Sequence, residues 1–248
     1  KATGSALRSI RQNNSMGKVP LRALPRVFVP GAVTTEELIE HPQEEIDKLR
    51  KVLRLSGGAQ IAVLPNDGSI IRCEFTGRDA KPLEVLNPNV EAAIDLTIAQ
   101  ALPKGDKIDE IIRACTELGV NRFLLFPSER TVVKWDAKKV TDRLHRLRTI
   151  AREAAEVSFR TRLPSIEYHA SLAEVLKKEP EAIVLSEVEN ETKTLKKSSD
   201  RMTIVVGPEG GWATRELQAI GDRGVTLGPR VLRVDHAGPA AAAILLLT

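Results

Sequence analysis

A chain of 248 residues is long enough for one large domain or two smaller ones, and a hydrophobic content of 42% supports a buried core. Only 3% is aromatic, so Leu, Ile, Val and Ala must build that core; the net charge of +4 permits a polyanionic partner without specifying one. No apolar run reaches membrane-spanning length, so no membrane partner is expected. Cys73 and Cys115 have no Cys or His at ligand spacing and read as buried residues of a reducing compartment.

Residues 1–18 read as a leader: a disordered tail, an added tag or a transit-peptide remnant, Arg-bearing and free of acids, with Met16 as a candidate native start. The location is then cytoplasmic if the protein is bacterial, or a chloroplast or mitochondrion if the leader is a transit remnant. Arg26–Val29 reads as a strand stopped by Pro30-Gly31. Glu36–Leu55 carries a helical period, with Ile46, Leu49, Val52 and Leu53 on one face, and stops at Gly57-Gly58. Gln60–Leu64 and Ser69–Thr76 flank Pro65-Asn66-Asp67-Gly68 as a hairpin, and Leu83–Leu86 offers another strand. Residues 19–88 therefore read as a small β domain that ends at Asn87-Pro88-Asn89.

The pattern changes across residues 89–248. Strands are expected at Ile94–Leu102, Phe123–Phe126, Ala182–Ser186, Thr203–Val206 and Val225–Leu227. Helices are expected at Lys107–Leu118, Asp136–Val157, Ser171–Lys178, Trp212–Arg223 and Gly238–Leu247, with Ser171 and Thr214 as N-caps. Glu189–Asp200 reads as a polar loop. Strands alternating with helices give an α/β fold with a mainly parallel sheet covered on both faces.

The chain has no P-loop, no dinucleotide fingerprint and no G-x-S-x-G, and His41, His145, His169 and His236 form no zinc-spaced pair, so no metal site is expected. What remains is a set of strand-end segments: Leu185-Ser186-Glu187; Gly207-Pro208-Glu209-Gly210-Gly211 after the apolar run Thr203–Val206; and Leu227-Gly228-Pro229-Arg230. Open α/β sheets bind ligands at such strand ends. Glycine there lets backbone N–H and C=O groups reach a flat heterocycle such as adenine. Arg230 and Arg233, followed by Asp235 and His236, suit a phosphate-bearing substrate or a developing oxyanion. Arg122–Arg162 holds eleven Lys/Arg against five Asp/Glu, a basic excess suited to nucleic acid.

Lys104–Val120 (K-G-D-K-I-D-E-I-I-R-A-C-T-E-L-G-V), Pro127–Lys134 (P-S-E-R-T-V-V-K), Glu153–Arg160 (E-A-A-E-V-S-F-R), Gly207–Trp212 (G-P-E-G-G-W) and Leu227–Arg233 (L-G-P-R-V-L-R) together resemble the RsmE-type ribosomal RNA uridine-N3 methyltransferases of the SPOUT superfamily. The motifs keep the family's order from Arg26 to the C-terminus. The chain departs from the pattern at Ala114, Val157 and His236.

The resemblance implies a C-terminal SPOUT domain with a trefoil knot and an N-terminal PUA-like β-barrel domain that binds RNA. It implies S-adenosyl-L-methionine as cofactor, a homodimer packed through the knot region, and N3 of a specific uridine in small-subunit ribosomal RNA, or in the assembled subunit, as the target. The expected cofactor residues are Leu185, Ser186, Glu187, Gly207, Pro208, Glu209, Gly210, Gly211, Leu227, Gly228, Arg230, Val231 and Leu232. Arg233 or Arg230 is expected to stabilise the uridinate, with Asp235 or His236 orienting it or accepting the proton. Arg26, Arg54, Arg130, Lys134 and Arg160 are the expected RNA contacts. Two alternatives stand beside this reading: a SPOUT enzyme for another RNA site, and a non-catalytic ribosome-assembly factor of the same fold.

Overall fold

The computed structural model describes residues 19–34, 37–186 and 193–247. The chain divides into two compact units, one ending at Val90 and the other starting at Glu91. The leader expected at residues 1–18 lies outside the described residues.

The N-terminal unit is a four-stranded mixed sheet in the order β1 (Arg26–Phe28), β2 (Gln60–Leu64), β3 (Ile70–Phe75), β4 (Ala80–Leu86). β1 runs parallel to β2, and the other two pairings are antiparallel. The β2–β3 turn forms because Asn66 and Gly68 take positive φ of 71° and 101°, while Asp67 Oδ1 accepts from the Ser69 N–H at 2.8 Å. Val27, Leu49, Ile61, Val63, Ile71 and Phe75 form the core.

The long helix expected over Glu36–Leu55 is mostly not formed. Ile39 instead makes an antiparallel bridge to Ala80. The helix α1 spans only Gln43–Asp47 and passes into a π-helical turn over Lys48–Val52. Pro42 is the cause: it biases the residue before it toward extended backbone, so the helix begins after it. Glu36 lies outside the described residues.

The C-terminal unit is a six-stranded sheet, β10-β8-β9-β5-β6-β7, in which every pairing is parallel. Its elements are β5 (Asp95–Ala101), α2 (Lys107–Leu118), β6 (Arg122–Phe126), α3 (Ala137–Val157), β7 (Ser165–Tyr168), α4 (Leu172–Lys178), β8 (Ile183–Leu185), β9 (Arg201–Val206), α5 (Thr214–Ile220), β10 (Gly224–Val225) and α6 (Val234–Leu246). Strand residues alternate between the two faces. Ile98, Phe123, Leu125 and Ile204 meet α2, α3 and α6 on one face; Ala99, Leu124, Phe126 and Val205 meet α4 and α5 on the other. Burial on both sides is why these strands are continuous apolar runs.

Three expectations are corrected here. β7 was not foreseen, because at this sheet edge only Ile166 of its four residues is buried. Thr214 is the first helical residue of α5 and not its cap: Ala213 occupies the N-cap, and its N–H is satisfied by Glu216 Oε2 at 2.9 Å. α6 starts at Val234 rather than Gly238 and tolerates Pro239 near its start, where only the N–H that would reach the Asp235 carbonyl is lost. α6 packs back onto α2, β5 and β9, and this return past the loops after β9 and β10 is the path that the knot expectation concerns.

Candidate functional site

Leu185 and Ser186 at the end of β8 and the loops that follow β9 and β10 meet at the C-terminal ends of those parallel strands and line a cavity of about 390 Å³. Of the expected cofactor residues, Leu185, Ser186, Gly207, Pro208, Glu209, Gly211, Leu227, Arg230, Val231 and Leu232 line it, as does Arg233. Glu187 lies outside the described residues. Gly210 and Gly228 are members of the loops but do not line the cavity. Asp235 and His236 stand aside from it, on the first turn of α6. Asp235 Oδ1 is 3.3 Å from Arg233 Nε, and Asp235 Oδ2 is 3.7 Å from His236 Nε2. Partial burial opposes ionisation of Asp235, but its own backbone N–H and the Arg233 guanidinium outweigh this and hold the carboxyl below its ordinary range.

The glycines are not equivalent. A Cβ on Gly207 would stand 3.0 Å from the Trp212 ring, which itself stacks on Phe126 with centroids 6.4 Å apart. Gly211 holds φ at 67°, in the left-handed region. Gly210 has neither constraint: its φ is ordinary and a Cβ would meet Arg130 at 3.4 Å, a normal contact. Within the protein itself nothing at Gly210 excludes a Cβ.

Three polar anchors hold the β9–α5 loop. Glu216, buried in α5, accepts from Ser128 Oγ at 2.9 Å and from the Glu129 N–H at 3.1 Å, besides capping its own helix. Arg130 Nη1 donates to the Gly210 carbonyl at 2.9 Å. Glu209 Oε1 accepts from the Lys104 N–H at 3.1 Å and from Lys107 Nζ at 2.8 Å. Burial raises the Glu209 carboxyl pKa, but the Lys107 ammonium and the backbone donors prevail and bring it below the ordinary range. The P-S-E-R and G-P-E-G-G-W segments are thus parts of one construction.

The expected RNA residues separate. Arg54, Arg130 and Lys134 are exposed and Arg26 is half-buried, with its Nη1 donating to the Arg22 carbonyl at 2.9 Å. Arg160 corrects the expectation: it is 3% exposed. Its guanidinium bonds Glu91 Oε2 at 2.7 and 3.1 Å and the Val120 carbonyl at 2.6 Å, so it cannot reach a phosphate. Part of the basic excess on α3 is also engaged internally, through Arg143 with Asp106 and Arg146 with Asp109. The cavity residues not foreseen are Lys107, Val206, Trp212, Val225, Thr226, Val234 and Ala237. The repeated lysine of K-G-D-K, at a helix start after a strand end, was the available signal for Lys107.

Residues 90–246 match the RNA methyltransferase domain family. The chain is 33% identical over 240 residues to the ribosomal RNA small subunit methyltransferase E of Bacillus subtilis (strain 168), covering 86% of this chain and 93% of that one. It is 34% identical to the protein of that name from Synechocystis, over 85% of this chain and 75% of that one. Among solved structures, ribosomal RNA small subunit methyltransferase E from Neisseria gonorrhoeae, bound to S-adenosyl methionine, superposes with a TM-score of 0.80 at 26% identity, covering 89% of this chain and 95% of that one. The six-stranded parallel sheet, the loops gathered at its strand ends and these similarities make this chain a member of the ribosomal RNA small subunit methyltransferase E family, a SPOUT-type family of S-adenosylmethionine-dependent RNA methyltransferases.

Proposed function

We propose that the protein methylates N3 of a uridine in small-subunit ribosomal RNA, with S-adenosylmethionine as methyl donor. The observation that carries this reading is the cavity at the ends of β8, β9 and β10, walled by glycine-rich backbone and bordered by Arg230, Arg233 and Lys107, in a chain of this family. The residues fit the cofactor. The cavity is of small-ligand size. Backbone at Gly207, Pro208, Leu227 and Leu232 offers hydrogen-bonding groups to an adenine, and Leu185 and Val231 offer apolar surface to its ring.

When bound, the cofactor supplies an electrophilic methyl group that needs no acid to activate it. The protein's task lies with the uracil, whose neutral N3 holds a proton. Arg233 and Arg230 stabilise the negative charge that develops on the base oxygens. Asp235, held ionised by its neighbours, orients Arg233 and is a poor acceptor for a proton near neutrality. The cavity walls hold N3 in line with the methyl group, and the uridine leaves its stack to enter. Arg26, Arg54, Arg130 and Lys134 contact RNA phosphates outside the cavity.

The enzyme acts as a homodimer through the knot region, where Val231, Ile244 and Leu247 are apolar side chains exposed in the single chain. Among the described residues, no helix is long and apolar enough to cross a membrane. The compartment is the bacterial cytoplasm, or an organelle if residues 1–18 are a transit remnant. Incubation of purified small subunits with the protein and S-adenosylmethionine tests the activity. The expected product is N3-methyluridine; cofactor binding without methylation of RNA would assign a different role.

A further inference from the structure

Three cationic side chains line the cavity, and they differ in exposure. The Arg233 side chain is 69% exposed, and Arg230 is exposed. The Lys107 side chain is 31% exposed and comes from a different element, at the start of α2. A charge shielded from water acts on its neighbours more strongly than one screened by it. Lys107 is also the better fixed: its Nζ is 2.8 Å from Glu209 Oε1, and Glu209 is itself held by the Lys104 N–H. An ammonium has three donors, and Glu209 uses one of them. The others are available to an acceptor in the cavity.

We propose that Lys107 is a catalytic residue of this site, its ammonium donating to a carbonyl oxygen of the target uracil beside N3, with Glu209 as the residue that positions it. This deepens the uridine-N3 reading and rests on it. The N3–H bond breaks and its proton leaves to water. The charge left on N3 and its neighbouring oxygens is stabilised by the Lys107 ammonium. The N3 lone pair then forms the bond to the methyl carbon as the carbon–sulfur bond breaks, and the cofactor departs as a neutral thioether. The charged groups lining the cavity are Lys107, Glu209, Arg230 and Arg233.

The test uses the full chain with RNA whose target uridine carries nitrogen-15, in complex with the demethylated cofactor S-adenosylhomocysteine. Nitrogen chemical shifts across pH read the ionisation of N3 directly, without turnover. The ionisation constant is expected to be about 100-fold larger with wild type than with Lys107→Met, and Lys107→Arg should recover part of the difference. Single-turnover methylation should fall by a similar factor in Lys107→Met at neutral pH. The deficit should shrink as pH rises, or when 5-fluorouridine, whose N3 ionises more readily, replaces the target. Lys107→Met also releases one anchor of the β9–α5 loop, so methylation is measured at cofactor concentrations that saturate each variant by calorimetry. A deficit at saturating cofactor that is independent of pH and of 5-fluorouridine, or an unchanged N3 ionisation, would overturn the assignment of Lys107. A wild-type protein that makes no N3-methyluridine would overturn the underlying reading as well, and that result appears before any variant is made.

Discussion

The Arg160 guanidinium closes on the Glu91 carboxylate, with Nη2 and Nε at 2.7 and 3.1 Å from the same oxygen. The other Glu91 oxygen accepts from the Thr161 and Arg162 N–H groups at 2.7 and 3.0 Å. The segment that follows α3 is therefore tied to the first residue of the C-terminal unit. Phe159, at φ 66°, makes the turn that brings Arg160 inward. Replacing Arg160 with Met should cost about 2–3 kcal/mol of stability, because a half-buried carboxylate loses its charged partner while keeping the Thr161 and Arg162 donors. Chemical denaturation measures this, and the salt dependence of RNA binding should not change in slope.

The same pair has a pH signature. Burial raises the Glu91 pKa, but Arg160 and the Thr161 donors outweigh it and hold the carboxyl below its ordinary range. A group depressed in the folded state stabilises fully above its unfolded pKa, about 4.3 for Glu. That contribution is lost as pH falls through the lower folded value. Wild-type stability should therefore decline below about pH 4.3, and Glu91→Gln should lack that component of the decline. Urea midpoints at a series of pH values compare the two.

Gly207 and Gly210 should respond in opposite ways. Gly207→Ala sets a methyl group 3.0 Å from the Trp212 ring and forces apart the Phe126–Trp212 stack beneath the loop. Cofactor affinity should fall by about tenfold or more, the range set by an overpacking strain of 1–3 kcal/mol. Gly210→Ala makes only an ordinary contact with Arg130, and its affinity should match wild type. Calorimetric titration of both variants decides between this pattern and one in which every glycine of the loop is equally needed.

Much of this was legible in the sequence. The apolar run at Thr203–Val206 announced a strand buried on both faces, and the α2 bounds were read to the residue, because Gly119 in the left-handed region ends that helix. The cavity loops were marked by their glycines. What stayed hidden depends on long-range contacts. Neither the anchoring of Ser128 and Glu129 by Glu216 nor the burial of Arg160 by Glu91 has a local signature, so an arginine in a basic stretch read as a phosphate ligand. The helix expected after Glu36 failed because the backbone at Ile39 found a strand partner in Ala80 and Pro42 delayed the helix start.

Glu216 should prove structural in a way that reaches the site. Glu216→Ala leaves Ser128 Oγ and the Glu129 and Ala213 N–H groups without their acceptor. A loss of about 2–4 kcal/mol is expected, together with weaker cofactor binding, since the loop after β6 and the loop after β9 lose their shared anchor. Thermal denaturation with and without S-adenosylmethionine reads both effects: a lower midpoint for the variant alone, and a smaller rise on adding cofactor.

The surface charges can be separated from the cavity by salt. Replacing Arg54 or Lys134 with Ala should weaken RNA binding by a similar factor for all sequences and reduce the salt slope by about one each. Cofactor affinity should not change. Arg130→Ala should do both, because its guanidinium also holds the Gly210 carbonyl. Filter binding over a salt series, with calorimetry in parallel, distinguishes the two classes.

The chemistry at the cavity is read most directly from its RNA product. Small ribosomal subunits lacking the modification are incubated with the protein and S-adenosylmethionine, and the RNA is digested to nucleosides for mass spectrometry. One N3-methyluridine per subunit is expected, abolished in the Arg233→Ala, Lys107→Met double variant while cofactor still binds. Methylation at another atom or base, or RNA left unmodified by a protein that binds its cofactor, would contradict it.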